Sequence, residues 1–288
     1  FSVMLKRHPA WSWDSKDQGT VLPIGSRLFR SINREEAFGG SSGCGVKVAI
    51  IDSGVDNQHP SVGGAVCGWC EPLLDSHGAI SYDQSRHQDL FGHGTACAGI
   101  IHSVAPSAEL YSVRVLGRKL NGQGEVFAAG LQWAIENDMD VVNLSLGTPN
   151  PAHFSRFHEL VDEAYYRRVV LVTAANNMPV VSFPSLYSTV ISTACYEGAT
   201  GSNPLDFYLN PAPPVEFGAN GIDVEVAWLG GGYVKATGNS FAAPNITAIV
   251  ALLLEKHPGL TPFQVKSVLS SLAANSYTGP DPDPEESI

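Results

Sequence analysis

Short apolar runs and amphipathic stretches take turns along this chain, and that alternation limits its fold more than any other feature. Residues 46–51, apolar but for Lys47, read as a parallel strand buried on both faces, and four apolar residues in a row lead to its end at Asp52. Helix patterns follow around 93–103, 125–138 and 156–168, separated by strand patterns over 110–116, 141–146 and 169–174. Alternation at this spacing predicts an α/β fold: a single-domain, doubly wound sandwich whose mostly parallel central β-sheet is flanked by helices. Further on we expect a strand near 190–194, a Pro-rich loop over 203–214 and a hairpin over 224–235 turning at Gly230-Gly231-Gly232. An apolar helix then starts near Ser240 and stops before Pro258. A last helix is opened by Thr261-Pro262-Phe263-Gln264, a capping box with proline at the first helical position.

A chain of 288 residues with 44% hydrophobic composition can bury a sizeable core as one domain, expected over 41–277. Residues 1–40, with Trp11 and Trp13 and a short helix pattern through Leu28, Phe29, Ile32 and Ala37, are expected as an N-terminal segment packed on that domain. Residues 278–288 are acidic and proline-rich, a disordered tail or a linker. The net charge of −11, with only 17 Lys plus Arg, argues against nucleic acid or an anionic membrane surface as partner. The longest apolar run, around 246–254, is too short to span a bilayer. A chain beginning at Phe1 leaves room for a removed pro-region, a leader or a neighbouring domain.

Five cysteines cannot all pair within one chain. That count fits a reducing compartment, or a secreted protein with one buried thiol; with no visible signal-peptide pattern, a cytoplasmic location is favoured over secretion. Cys67-Gly68-Trp69-Cys70 has redox-motif spacing without the strand-to-helix setting such a motif needs, so a structural role or a local disulfide is expected. The sequons at Asn143 and Asn245 fall on elements expected to be buried and are read as coincidence.

Three motifs carry chemistry. Thr237-Gly238-Asn239-Ser240-Phe241-Ala242-Ala243-Pro244 runs straight into the apolar helix, which puts Ser240 on a first turn. Gly238 is expected to let the backbone turn tightly, and Pro244 to be tolerated early in the helix. Unpaired N–H groups at such a start favour negative charge, which suits an oxygen that becomes an oxyanion. By itself this is also the pattern of an ordinary serine cap. Two further stretches change that: Ile50-Ile51-Asp52-Ser53-Gly54-Val55-Asp56 and Gly92-His93-Gly94-Thr95 supply an acid and a base. A serine hydroxyl is a weak nucleophile near neutral pH and needs such a base within reach.

In that order of Asp, His and Ser, each in its local motif, the chain resembles the subtilisin-like serine proteases over roughly residues 42–275. The resemblance implies a serine endopeptidase with Asp52, His93 and Ser240 as catalytic triad, acting on peptide or protein substrates without cofactor or metal. Thr173-Ala174-Ala175-Asn176-Asn177 resembles the family strand that ends in an oxyanion-binding Asn; motif spacing makes that Asn177, with Asn176 as the alternative register. Ser145-Leu146-Gly147 and Gly122-Gln123-Gly124 resemble the two rails that hold an extended substrate by β-addition. Gly124 stands where relatives often carry a bulky side chain, implying a wider pocket for the fourth residue before the cut. The segment after His93 is short where calcium-binding relatives carry a ligand loop, so no such site is expected. Two other functions fit the same residues: a transpeptidase or peptide macrocyclase of this fold, and a catalytically inactive peptide-binding module.

Overall fold

The computed structural model describes residues 32–201, 203–210, 212 and 214–276. In chain order the elements are α1 (Arg34–Phe38), β1 (Lys47–Asp52), β2 (Val66–Leu74), β3 (Ile80–Asp83), α2 (His93–Val104), β4 (Glu109–Arg114), α3 (Gly124–Glu136), β5 (Val141–Leu144), α4 (Phe154–Tyr166), β6 (Val170–Ala174), β7 (Ile191–Cys195), β8 (Tyr208–Leu209), β9 (Phe217–Ala219), β10 (Val224–Ala227), β11 (Tyr233–Ala236), α5 (Asn239–Lys256) and α6 (Pro262–Leu272).

Nine of the strands form one sheet in the order β3-β2-β4-β1-β5-β6-β7-β9-β8. Pairing is parallel from β2 to β9, and the two edge strands β3 and β8 join antiparallel. Strand β1 explains why the central runs are uniformly apolar. Val48 and Ile50 face one core, with Cys97, Ile101, Ile246 and Ile249, while Ala49 and Ile51 face the other, with Phe127, Leu131 and Phe157. A strand covered on both faces has no polar side to alternate with. Each of the larger side chains buried this way stabilises the fold by about 1.5–3 kcal/mol. Helix α5 is buried from Ser240 through Leu254, the condition of a helix that is apolar all round.

Strand β1 lies between β4 and β5, so the chain changes its direction of travel across the sheet there. Open α/β sheets form their crevices at the carboxyl ends of strands at such a switch point. Asp52 is the last residue of β1 and stands at that edge.

Several expectations are corrected. Strands β2, β3, β8 and β9 carry no clear strand pattern in the sequence: β2 is interrupted by Gly68 and Pro72 and only partly buried, β3 is mostly exposed, and β8 has two residues inside the Pro-rich loop. Strand β5 stops at Leu144, two residues early. Cys67 is exposed, Cys70 is buried, and all five cysteines are free, so no local disulfide closes the Cys67-Cys70 stretch. Asn143 and Asn245 are buried, as their placement in the sequence implied. Of the N-terminal segment, α1 is described: Asn33 caps it, and Lys256 Nζ of α5 donates to Gly39 O at 3.1 Å. Trp11, Trp13, Leu28, Phe29 and residues 278–288 lie outside the described residues. Among the described residues no helix is long and apolar enough to cross a membrane.

Candidate active site

Asp52 and His93 meet at the carboxyl edge of the sheet. His93 Nδ1 donates to Asp52 Oδ2 at 2.8 Å and lies 3.0 Å from Oδ1, and Ser53 N–H donates to Oδ1 at 2.7 Å. Both side chains are buried, Asp52 completely. Burial works to lower the imidazole's pKa, but the adjacent Asp52 carboxylate outweighs it and holds His93 well above the ordinary value.

His93 opens α2, and Asp89 fixes that opening. Gly92 at the N-cap has φ of 112° and no side chain to cap with. Asp89 supplies the cap from three residues upstream: Oδ1 accepts from Phe91 N and Gly92 N at 2.9 and 2.8 Å, and Oδ2 accepts from Thr95 N and Thr95 Oγ1 at 2.9 and 2.6 Å. Ser53 Oγ also donates to Asp89 Oδ1 at 2.8 Å, tying the helix start to the residue after Asp52.

Ser240 is the second residue of α5, and its local geometry departs from the sequence reading in two ways. Gly238 has φ of 172°, extended backbone open to any residue; what a side chain there would do is crowd the Ser240 hydroxyl. A Cβ on Gly238 would lie 3.2 Å from Ser240 Oγ and 3.6 Å from Asn177 Nδ2, so the hydroxyl and the amide nitrogen flank one point. Pro244 falls in the helix interior, where its missing N–H leaves Ser240 O without the usual i+4 donor. Ser145 Oγ takes that place at 2.9 Å, backed by Cys97 Sγ at 3.6 Å. Ser145 in turn accepts from Asn143 Nδ2 at 3.0 Å.

The two candidate asparagines separate by their partners. Asn176 Oδ1 accepts from Met178 N at 2.8 Å within its own loop. Asn177 Oδ1 accepts from Asn239 N at 2.9 Å, and that fixes the amide with Nδ2 toward Ser240. The Asn239 side chain clips the neighbouring segments: Nδ2 donates to Ala175 O and Asn176 O, both at 3.2 Å, and Oδ1 accepts from Cys195 N at 2.9 Å.

A cavity of about 520 Å3 brings together Ser240, His93, Asn177, Leu146 and Gly147, and a second of about 390 Å3 is lined by His93, Gly122, Gln123, Gly124 and the same 145–147 segment. The shared residues make them two parts of one groove, and among the described residues no Asp or Glu lines either part. Gly124 does not leave the expected gap. It is the first residue of α3, and a Cβ there would lie 2.2 Å from His153 Nε2, so the imidazole fills the space. Gly122 has Val115 O where a Cβ would go, at 2.4 Å. Phe91 and Trp228, which the sequence reading did not single out, also line the larger cavity. Among the described residues Asp52, His93 and Cys97 are the group with metal-ligand chemistry, their ligand atoms within 4.8 Å of one another. The Asp52–His93 hydrogen bond already engages that set.

The sequence profile of the Subtilase family matches residues 43–285. Subtilisin E of Bacillus subtilis (strain 168) is 33% identical over 83% of this chain, which spans 63% of that relative's length. An alkaline protease of Shouchella clausii is 33% identical over 94% of this chain and 71% of its own length. Among solved structures, that of a cold adapted subtilisin-like serine proteinase has a TM-score of 0.67 at 27% identity, covering 82% of this chain and 87% of that one. These relatives overturn the expectation of a cytoplasmic location, because subtilisins and alkaline proteases of this kind are secreted. The cysteine count misled because a thiol such as Cys97, wholly buried, serves as a small apolar side chain in either compartment.

Proposed function

The chain belongs to the subtilase family, and from that we propose that it is a serine endopeptidase working through an acyl-enzyme intermediate. Ser240 Oγ attacks the scissile carbonyl carbon while His93 takes its proton. The protonated His93 then gives that proton to the departing amine, and the C–N bond breaks. Water repeats the sequence on the ester and frees the acid. The observation that carries this reading is the Asp52–His93 hydrogen bond beside a cavity that also holds Ser240 and Asn177. With Nδ1–H committed to Asp52, Nε2 carries the lone pair that a base needs. Asn177 Nδ2 and the Ser240 N–H, on the first turn of α5, are the donors for the oxyanion. The rails 122–124 and 145–147 hold the substrate chain before the cut.

A fluorophosphonate probe tests the nucleophile. Wild type is expected to be labelled, and Ser240→Ala to lose both labelling and peptide cleavage while keeping its melting temperature. Cleavage by Ser240→Ala near the wild-type rate would sink the assignment. Product masses of cleaved peptides, with none joined, distinguish hydrolysis from acyl transfer to an amine.

A further inference from the structure

We propose that Trp228, braced by Phe91, sets a preference for apolar side chains at the first substrate residue after the cut. This rests on the hydrolase reading above. The indole is half-buried and stands edge-on to Phe91, with ring centroids 5.6 Å apart and planes at 70°. Its position is tied to the reacting centre through Gly92, the residue before His93. A Cβ on Gly92 would lie 2.8 Å from the indole Cδ2 and Cε2, so the ring rests on the backbone at the start of α2.

The indole is also held from behind. Trp228 N donates to Gly232 O at 2.8 Å across the turn between β10 and β11. His59 reaches the same carbonyl with Nε2 at 2.9 Å, and because Ser61 N donates to His59 Nδ1 at 3.1 Å, Nε2 is the nitrogen that carries the proton. A flat aromatic surface fixed this way loses little entropy on binding.

Its side of the groove follows from the chemistry. The chain before the cut lies along the rails, and the cavity lined by Gly122, Gln123 and Gly124 includes neither Phe91 nor Trp228. Both belong to the cavity that holds Ser240. The departing amine must sit beside His93, which protonates it, and Trp228 is the large side chain stacked against His93's neighbour. The residue attached to that amine therefore meets the indole.

The experiment compares kcat/KM for peptides that differ only in Leu, Gly or Arg at the first position after the cut. Wild type is expected to prefer Leu over Gly by about tenfold, the worth of partly burying one aliphatic side chain. Trp228→Ala should reduce that ratio to about twofold. Trp228→Glu should raise the Arg-to-Leu ratio by about tenfold, a gain that damage to the fold does not mimic. The Leu-to-Gly ratio at the position before the cut should keep its wild-type value in both variants. An unchanged preference after the cut, or a shift confined to the position before it, overturns the role of Trp228. Fluorophosphonate labelling of wild type is the separate control, since its failure would remove the hydrolase reading itself.

Discussion

Ser240 depends on partners that come from far along the chain. Its carbonyl is held by Ser145, 95 residues away, because Pro244 cannot donate to it. Ser145→Ala is expected to cost about 1–3 kcal/mol in chemical denaturation, the penalty for a buried acceptor stripped of its donor, and an unchanged midpoint would mean that Cys97 alone suffices. Asn177→Ala should lower kcat by about a hundredfold to a thousandfold with little change in KM, a magnitude known for the corresponding donor of subtilisin itself. A loss confined to KM would place the donor elsewhere. As the proposed base, His93 must be neutral to accept the proton, and Asp52 raises its pKa against the pull of burial. The acid limb of kcat/KM should therefore lie above the ordinary imidazole value of about 6.5 and move to lower pH in Asp52→Asn, even as the rate falls. A limb that stays in place in that variant would show that Asp52's charge does not set it.

At the scale of elements, α2 is placed by Asp89. Five donors converge on this one carboxylate, which is 6% exposed. Asp89→Ala is expected to destabilise by at least about 3 kcal/mol, since several buried N–H groups lose their acceptor together, and to lower kcat because His93 rides on that turn. Urea unfolding with parallel kinetics checks both, and normal activity with normal stability would mean that the turn holds itself. Elements whose periodicity comes from burial were legible in the sequence. Val48 to Ile51 are apolar because both faces of β1 are covered, and α5 because all of its sides are. Strands β2, β3 and β8 were not: β2, next to the edge, is only partly buried and broken by Gly68 and Pro72, the edge strand β3 is mostly exposed, and the edge strand β8 is two residues inside the Pro-rich loop. In the site, the motifs around Asp52, His93 and Ser240 are local and could be read. The contacts of Asn239, Ser145 and Trp228 join segments far apart in the chain, and local patterns hold no trace of them.

At the scale of the whole molecule, charge and cavity pull in opposite directions. The chain carries a net charge of −11, a field that draws cationic peptides toward it and weakens as salt rises. Yet among the described residues no carboxylate lines either part of the groove; the segment beside Asn177 offers Ala174, Ala175 and Met178, and the 145–147 segment offers Leu146. Glu125, which follows Gly124 directly, does not line the groove, and neither does Asp162 of α4. Steering acts on encounter, whereas the residue before the cut must shed its water in the transition state. A cation without a partner there costs more than the few-fold gain of steering returns. Peptides with Leu immediately before the cut should accordingly be cleaved at least about tenfold faster in kcat/KM than those with Arg. Adding salt should slow the Arg substrate more than the Leu substrate and so widen the ratio. Faster cleavage after Arg at any salt concentration would show that an acidic group reaches the pocket from outside these segments.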